Sequence, residues 1–273
     1  MAEDEWITGQ VTLRVGNVPL DLEMTVPAQP VKPHRMLPIF HKMSEAFADI
    51  GVQAEAAEGK NVSCKAGCGA CCSQAVPISE MEVYHISEVV NAMPEPRRTE
   101  IRERFARSLR HFRETGWFAA LRSRKGQTWA GAEELVLKYF RENVPCPFLE
   151  NGSCSIYEHR PIVCREYLVT SDPKNCSSPT AEGVRVVGLP IKPSSVLGKM
   201  AVGEASKNEG LFIILIMALE LAEKYPEAYP EKTGEQWMAD FFGRLTSEEK
   251  PYLSEARQVP NTKKRRSRHS SKR

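Results

Sequence analysis

The eight cysteines of this chain fall into two segments, and no other feature of the sequence restricts its fold as much. Cys64, Cys68, Cys71 and Cys72 lie in the run CKAGCGACC, and Cys146, Cys154, Cys164 and Cys176 follow after a long cysteine-free stretch. Thiolates repel one another, and grouping them is favourable only where a cation compensates their charge. Disulfides are the first alternative. The first residues, Met-Ala-Glu-Asp-Glu-Trp, are acidic where a secretory signal would be basic and then apolar. A reducing, cytoplasmic setting is therefore expected, where structural disulfides are rare. Vicinal Cys71 and Cys72 could not both bridge comfortably in parallel. Inert buried thiols are the second alternative, but they would want apolar neighbours, and these have Lys, Ser, Glu and Asn. Metal binding is the reading that remains.

Local signals shape the two segments. Gly67 and Gly69 bracket Cys68, letting the backbone curl and aim N–H groups at sulfur. Asn151-Gly152 is a tight-turn signal that puts Cys146 and Cys154 on or near the arms of a small hairpin, and a short helix starting near Arg160-Pro161 should carry Cys164. Neighbouring side chains diverge in helix and strand alike, so Cys71 and Cys72 are expected to point apart and to be inequivalent as ligands. Thiolate ligation suits zinc and an iron–sulfur cluster equally well. Structural zinc sites favour repeated two-residue gaps, whereas the gaps here are three, two, zero, seven, nine and eleven, a pattern nearer to cluster ligation. The spacing at 64–71 is also that of radical S-adenosylmethionine enzymes. Ala70 stands where those enzymes place an aromatic residue, and no run of βα units follows.

Together, C-x₃-C-G-x-C-C at 64–72, CPFL…NGxCxIYExRPxxCRxY at 146–167 and Cys176 resemble the cysteine-cluster family nicknamed CxxCxxCC, or YkgJ type, over about residues 60–180. The resemblance implies chelation of zinc or iron; the spacing makes an iron–sulfur cluster of the [4Fe–4S] kind the expected form of the iron. It offers Cys64, Cys68, Cys71, Cys72, Cys146, Cys154, Cys164 and Cys176 as ligands. It also singles out Arg160 and Arg165 as cofactor-binding candidates, which could offset thiolate charge or hold a substrate carboxylate, or could bind backbone carbonyls and the neighbouring Glu158 and Glu166. Tyr157 and Tyr167 read as packing, and His85 and His159 as bystanders rather than ligands. One branch of the family, the flagellin lysine N-methylases, implies a second function, methyl transfer from S-adenosylmethionine to a protein substrate. No nucleotide fingerprint in this chain supports that independently. A zinc-stabilised interaction module is the third reading.

Outside the cysteines, the pattern is mainly α with small β elements. Residues 11–26 alternate as a β-hairpin with a Gly16-Asn17-Val18-Pro19 turn, and prolines 27, 30 and 33 form a linker. Helices are expected at 36–54, from the Ser79 capping box to Met93, and over 97–113 with Ile101, Phe105, Leu109 and Phe112 inward. Others are expected at 130–142, at 211–224 as a core helix, and after the Thr233/Gln236 cap, with a short strand at 184–191. Seven arginines on the 97–113 helix should form a salt-bridged, solvated face. The expected organisation is a hairpin and linker at 1–32, one α-rich domain at 33–258, and a disordered basic tail at 259–273. The tail makes the net charge of +2 misleading, since residues 262–273 hold seven Lys or Arg and no acid. Weak polyanion binding is expected of the tail, and no specific nucleic-acid partner of the acidic body. The longest apolar run, Leu211 to Leu219, is too short for a membrane span of about 20 residues.

Overall fold

The computed structural model describes residues 5–15, 18–123, 129–177, 179, 183–200, 203–209 and 213–246. Strands β1 (Trp6–Val15) and β2 (Val18–Pro27) pair antiparallel from Trp6↔Pro27 to Val15↔Val18. Their alternation sorts side chains by face. Val11, Leu13, Leu20 and Leu22 pack toward the protein, while Thr8–Thr25, Gln10–Glu23 and Thr12–Asp21 bond side chain to side chain at 3.0, 3.3 and 2.7 Å on the other face. Of the expected turn at Gly16-Asn17-Val18-Pro19, the first two residues lie outside the described residues, and the last two are corrected: Val18 and Pro19 open β2, paired with Val15 and Arg14.

A 3₁₀ turn (Pro33–Met36) feeds helix α1 (Leu37–Ala57). After an irregular stretch come β3 (Pro77–Ile78) and α2 (Glu80–Asn91), the latter opened by the expected capping box, with Ser79 N and Oγ each 2.7 Å from Glu82 Oε2. Helix α3 (Arg97–Glu114) buries Ile101, Phe105, Leu109 and Phe112. Gly116, in the left-handed region at φ 71°, then breaks the chain into α4 (Trp117–Arg122), followed by α5 (Trp129–Arg141). The tight hairpin of β4 (Leu149–Glu150) and β5 (Ser153–Cys154) and the short α6 (Ile162–Glu166) carry the second cysteine segment. Helices α7 (Pro193–Met200) and α8 (Glu204–Glu209), strand β6 (Ile213–Ile214), α9 (Ala218–Lys224) and α10 (Gly234–Thr246) complete the order.

Among the described residues the architecture is mainly helical, with three small antiparallel strand pairs. Two apolar clusters form. One joins α3, α4, α5 and α9 to Val83, Ile86 and Val90 of α2. The other joins the N-terminal hairpin, α1, α7 and α10 to Met81 of α2 and Ile162 of α6. Helix α2 therefore divides the two clusters. The cysteine segments bridge them, since Phe148 and Ile156 belong to the first and Ile162 to the second.

Two expectations are corrected. The core helix expected at 211–224 begins only at Ala218. Ile213 and Ile214 instead form β6 against Ile78 and Pro77, and Leu215 N donates to Val76 O at 2.8 Å. A short apolar run buried on all sides carries no periodicity that separates strand from helix, and β-branched Ile213-Ile214 chooses the strand. The strand expected at 184–191 shrinks to one bridge, Val186↔Val169. The arginine face of α3 is ion-paired, but its partners are mostly distant. Arg97 and Arg104 both reach Glu150 at 3.1 and 2.9 Å, and Arg102 reaches Glu223 at 2.7 Å.

Candidate metal centre

Each cysteine segment is held by contacts that residue type explains. In the first, Cys68 N donates to Lys65 O at 3.0 Å, Cys72 N to Gly69 O at 2.9 Å and Gln74 N to Cys71 O at 3.2 Å, so successive tight turns replace a helix. Gly67 has φ 81°, the curl expected of it. Gly69 acts differently, by close approach. A Cβ there would stand 2.6 Å from Leu149 Cδ1 and 2.8 Å from Gly152 O, so only glycine lets the first segment press onto the β4–β5 hairpin. That hairpin turns at Asn151 (φ 49°) and Gly152 (φ 75°), both left-handed, as the Asn-Gly pair requires. Cys146 N donates to Cys72 O at 2.6 Å and joins the two segments directly. Ser63 N donates to Val169 O at 2.8 Å, while Val169 N lies 3.4 Å from Cys64 Sγ as its donor.

Helix α6 is placed by a residue that the capping-box motif flags only for its own helix. Glu82, buried on α2, accepts from Ile162 N at 2.8 Å while closing its own capping box at Ser79. Glu80 and Glu166 do the same for α8 and α7, accepting from Ser206 N at 2.9 Å and Ser194 N at 2.8 Å. The only sequence signal is an acidic residue at a buried helix position, whose partner is far along the chain.

The outcome is one cavity of about 180 Å³ lined by all eight cysteines, together with Lys65, Phe148, Tyr157, Arg160, Tyr167 and Leu215. None of the eight is in a disulfide. Burial pushes Cys146 up to about 12 and Cys176 up to about 11, carries Cys164 well above the ordinary thiol range, and raises Cys64 and Cys154. Cys71 goes the other way, to about 7, because Cys72 donates a hydrogen bond to its thiolate, and Cys72 rises for the same reason.

The two arginines separate. Arg160 lines the cavity, its guanidinium 4.1 Å over the Tyr157 ring, and its buried Nε has no hydrogen-bond partner. Its charge helps Cys64, Cys71 and Cys154 to ionise. Arg165 is buried and does not line the cavity. It bonds Glu45 Oε1 and the carbonyls of Glu158 and Arg160, so its donors fix the 158–166 segment to α1. Tyr167 lines the cavity, and burial raises it to about 12. His85 and His159 lie outside the cavity, where His41 joins them in a cluster that no sequence spacing announces.

The donor set fits thiophilic metal. Eight thiols face one space, and burial and mutual repulsion hold most of them neutral until a cation arrives. Among the described residues, no three His, Cys, Asp or Glu side chains already converge tightly enough to hold one ion, so a bound metal would draw these walls together. Among the described residues, no helix is long and apolar enough to cross a membrane. Residues 63–181 match the family model CxxCxxCC, described as "Putative zinc- or iron-chelating domain", and so contain every cysteine of the chain. Neither the curated proteins nor the solved structures provide a match.

Proposed function

We propose that residues 63–181, the metal-chelating domain of this chain, hold an iron–sulfur cluster of the [4Fe–4S] kind, and that the cluster is the functional centre of a redox protein. One observation carries this reading: all eight thiols line a single cavity. A structural zinc and a [4Fe–4S] cluster each take four thiolates, so the eight thiols suffice for either, and the spacing of the cysteines decides between them. The irregular gaps between the cysteines favour a cluster, because structural zinc sites usually repeat two-residue gaps.

The residues that would hold the cluster are drawn from Cys64, Cys68, Cys71 and Cys72 on the first segment and Cys146, Cys154, Cys164 and Cys176 on the second. When bound, such a cluster supplies one-electron transfer at a potential set by net charge, hydrogen bonds to sulfur and exposure. The chain provides those settings itself. Arg160 supplies positive charge at the wall, Val169 N donates to Cys64 Sγ, and Tyr157, 46% exposed, marks the side nearest solvent.

Anaerobic purification followed by iron, acid-labile sulfide and zinc analysis tests the proposal. Iron and sulfide in equal amounts, with a paramagnetic signal on reduction, are the expected result. Zinc without sulfide would overturn it in favour of a zinc-stabilised module.

A further inference from the structure

Three imidazoles gather outside the cysteine cavity, each from a different element. His41 stands on α1, His85 on α2 and His159 on the 3₁₀ turn Tyr157–His159. The rings of His41 and His85 have centroids 6.0 Å apart, and those of His85 and His159 are 5.3 Å apart. Nε2 of His41 and Nε2 of His85 are both buried, and neither has a hydrogen-bond partner. An orphaned buried polar atom costs about 1–3 kcal/mol, so two in one cluster call for a common ligand.

We propose that His41, His85 and His159 form a second metal site, distinct from the thiols, for one divalent first-row cation that prefers nitrogen donors, with zinc as the representative ion. Imidazole is a fitting ligand for this class. Two imidazoles on one tetrahedral zinc, with Zn–N bonds of about 2.0–2.1 Å, place their ring centroids about 5 Å apart. The observed 5.3 and 6.0 Å lie just outside that spacing. Here, as in the cysteine cavity, the ion completes the geometry rather than finding it finished.

The surroundings admit it. His159 is exposed and gives an entry path, while His41 is buried and gives a desolvated anchor. Arg165 and Arg160 are the cations near His41, and Arg165 and Arg35 those near His85. Arg165 is already paired with Glu45, one turn beyond His41 on α1, which limits its repulsion of an incoming ion.

The test is equilibrium dialysis of the full-length chain against zinc, comparing wild type with His159→Gln and His85→Gln, with zinc K-edge absorption on each. Because the comparison is between variants, it is independent of what the thiols hold. The expected result is a nitrogen shell in wild type that both variants lose, with zinc affinity of this site falling at least about tenfold. His159 lies on an exposed turn, so its variant should keep the wild-type circular dichroism even if His85→Gln does not fold. Unchanged zinc content and nitrogen shell in His159→Gln would overturn the proposal and leave a buried water as the partner of the two nitrogens.

Discussion

The main-chain N–H of Cys146 donates to the carbonyl oxygen of Cys72 at 2.6 Å, so the two cysteine segments are joined by backbone and not only by what their thiols bind. Gly69 makes that junction sterically open, and the junction in turn sets which thiols face one another. Replacing Gly69 with Ala should therefore part the segments, because its Cβ would collide with Leu149 and with the carbonyl of Gly152. A loss of about 1–3 kcal/mol is expected from the overpacking, together with reduced metal content. Gly67→Ala serves as the comparison. Its φ of 81° is strained for alanine, but no atom lies within 4 Å of the new Cβ, so it should cost stability and spare the junction. Equal metal loss in both would show that the approach at Gly69 is not what matters.

The glutamate at position 82 ties α2 to the first N–H of α6, the helix that carries Cys164. Glu82→Ala leaves both Ile162 N and the Ser79 cap without their acceptor. A destabilisation of about 1–3 kcal/mol per orphaned donor is expected, with faster amide exchange at Ile162. Unchanged exchange at Ile162 would mean that α6 is held by packing alone.

Signals that are local in sequence were legible before the structure. The Thr/Asp/Glu alternation of the N-terminal hairpin, the Ser79 capping box, the Asn151-Gly152 turn and the α6 start at Pro161 each depend on neighbours within a few residues. What failed or went unseen depends on distant partners. Ile213 and Ile214 are a strand because Pro77 and Ile78 lie beside them. Arg160 and Arg165 sit in one motif, yet one faces the thiols and the other reaches Glu45 on α1. His41 carries no spacing relationship to His85 at all; only the packing of α1 on α2 makes them neighbours.

The thiols raised by burial make metal-free stability depend on pH in one direction, and Cys71, lowered to about 7, acts against them. Cys146 at about 12 and Cys176 at about 11 stand above the ordinary 9.0, and Cys164 is also well above it, all chiefly through burial. Folding therefore favours the protonated thiol. Above the unfolded value, the unfolded chain releases protons that the folded chain retains, and stability falls as pH rises. Urea midpoints of the chelated protein should drop from about pH 8.5 upward, and those of the metal-loaded protein should not. Metal uptake near neutrality should also release protons, measurable in a weakly buffered titration. Uptake without release would mean that the thiols are not the ligands.

A second titration has the opposite kind of partner. His34 Nδ1 lies 2.8 Å from Glu227 Oε1 and its Nε2 lies 3.0 Å from Glu88 Oε1. Burial pulls this imidazole down, but the Glu227 hydrogen bond and charge, with Glu88 behind them, raise it above 6.5 overall. The stability it contributes is complete below pH 6.5 and is lost as pH rises through the raised value. His34→Gln should cost more in mildly acid than in mildly alkaline urea titrations, by about 1.5–3 kcal/mol at most. A cost independent of pH would show that His34 acts by packing.

Metal should also support the fold around the cavity instead of resting on a finished scaffold. The stretch from Asn61 to Ser73 has only Val62, Ala66 and Ala70 as apolar side chains besides its cysteines, and it makes turns rather than a regular element. Ordering its backbone costs about 1–2 kcal/mol per residue, which so little apolar surface cannot offset. Structural zinc in small peptides contributes on the order of 10–16 kcal/mol, enough to close such a deficit. The helices differ in this respect. Val83, Ile86 and Val90 of α2, Phe105 and Phe112 of α3, and Trp237 and Phe241 of α10 are buried in the two cores and do not depend on the thiols. Chelation, or Cys→Ser at Cys64, Cys68 or Cys164, should therefore speed amide exchange across 60–75 and 146–177 while most helical circular dichroism survives. Cys146 N and Ile162 N report the two ends of that effect, since one bonds across the junction and the other bonds to Glu82. If exchange at Cys146 quickens and exchange at Ile162 does not, the metal orders the junction but not α6. Protection unchanged at both after complete metal removal would return the eight cysteines to the role of buried thiols.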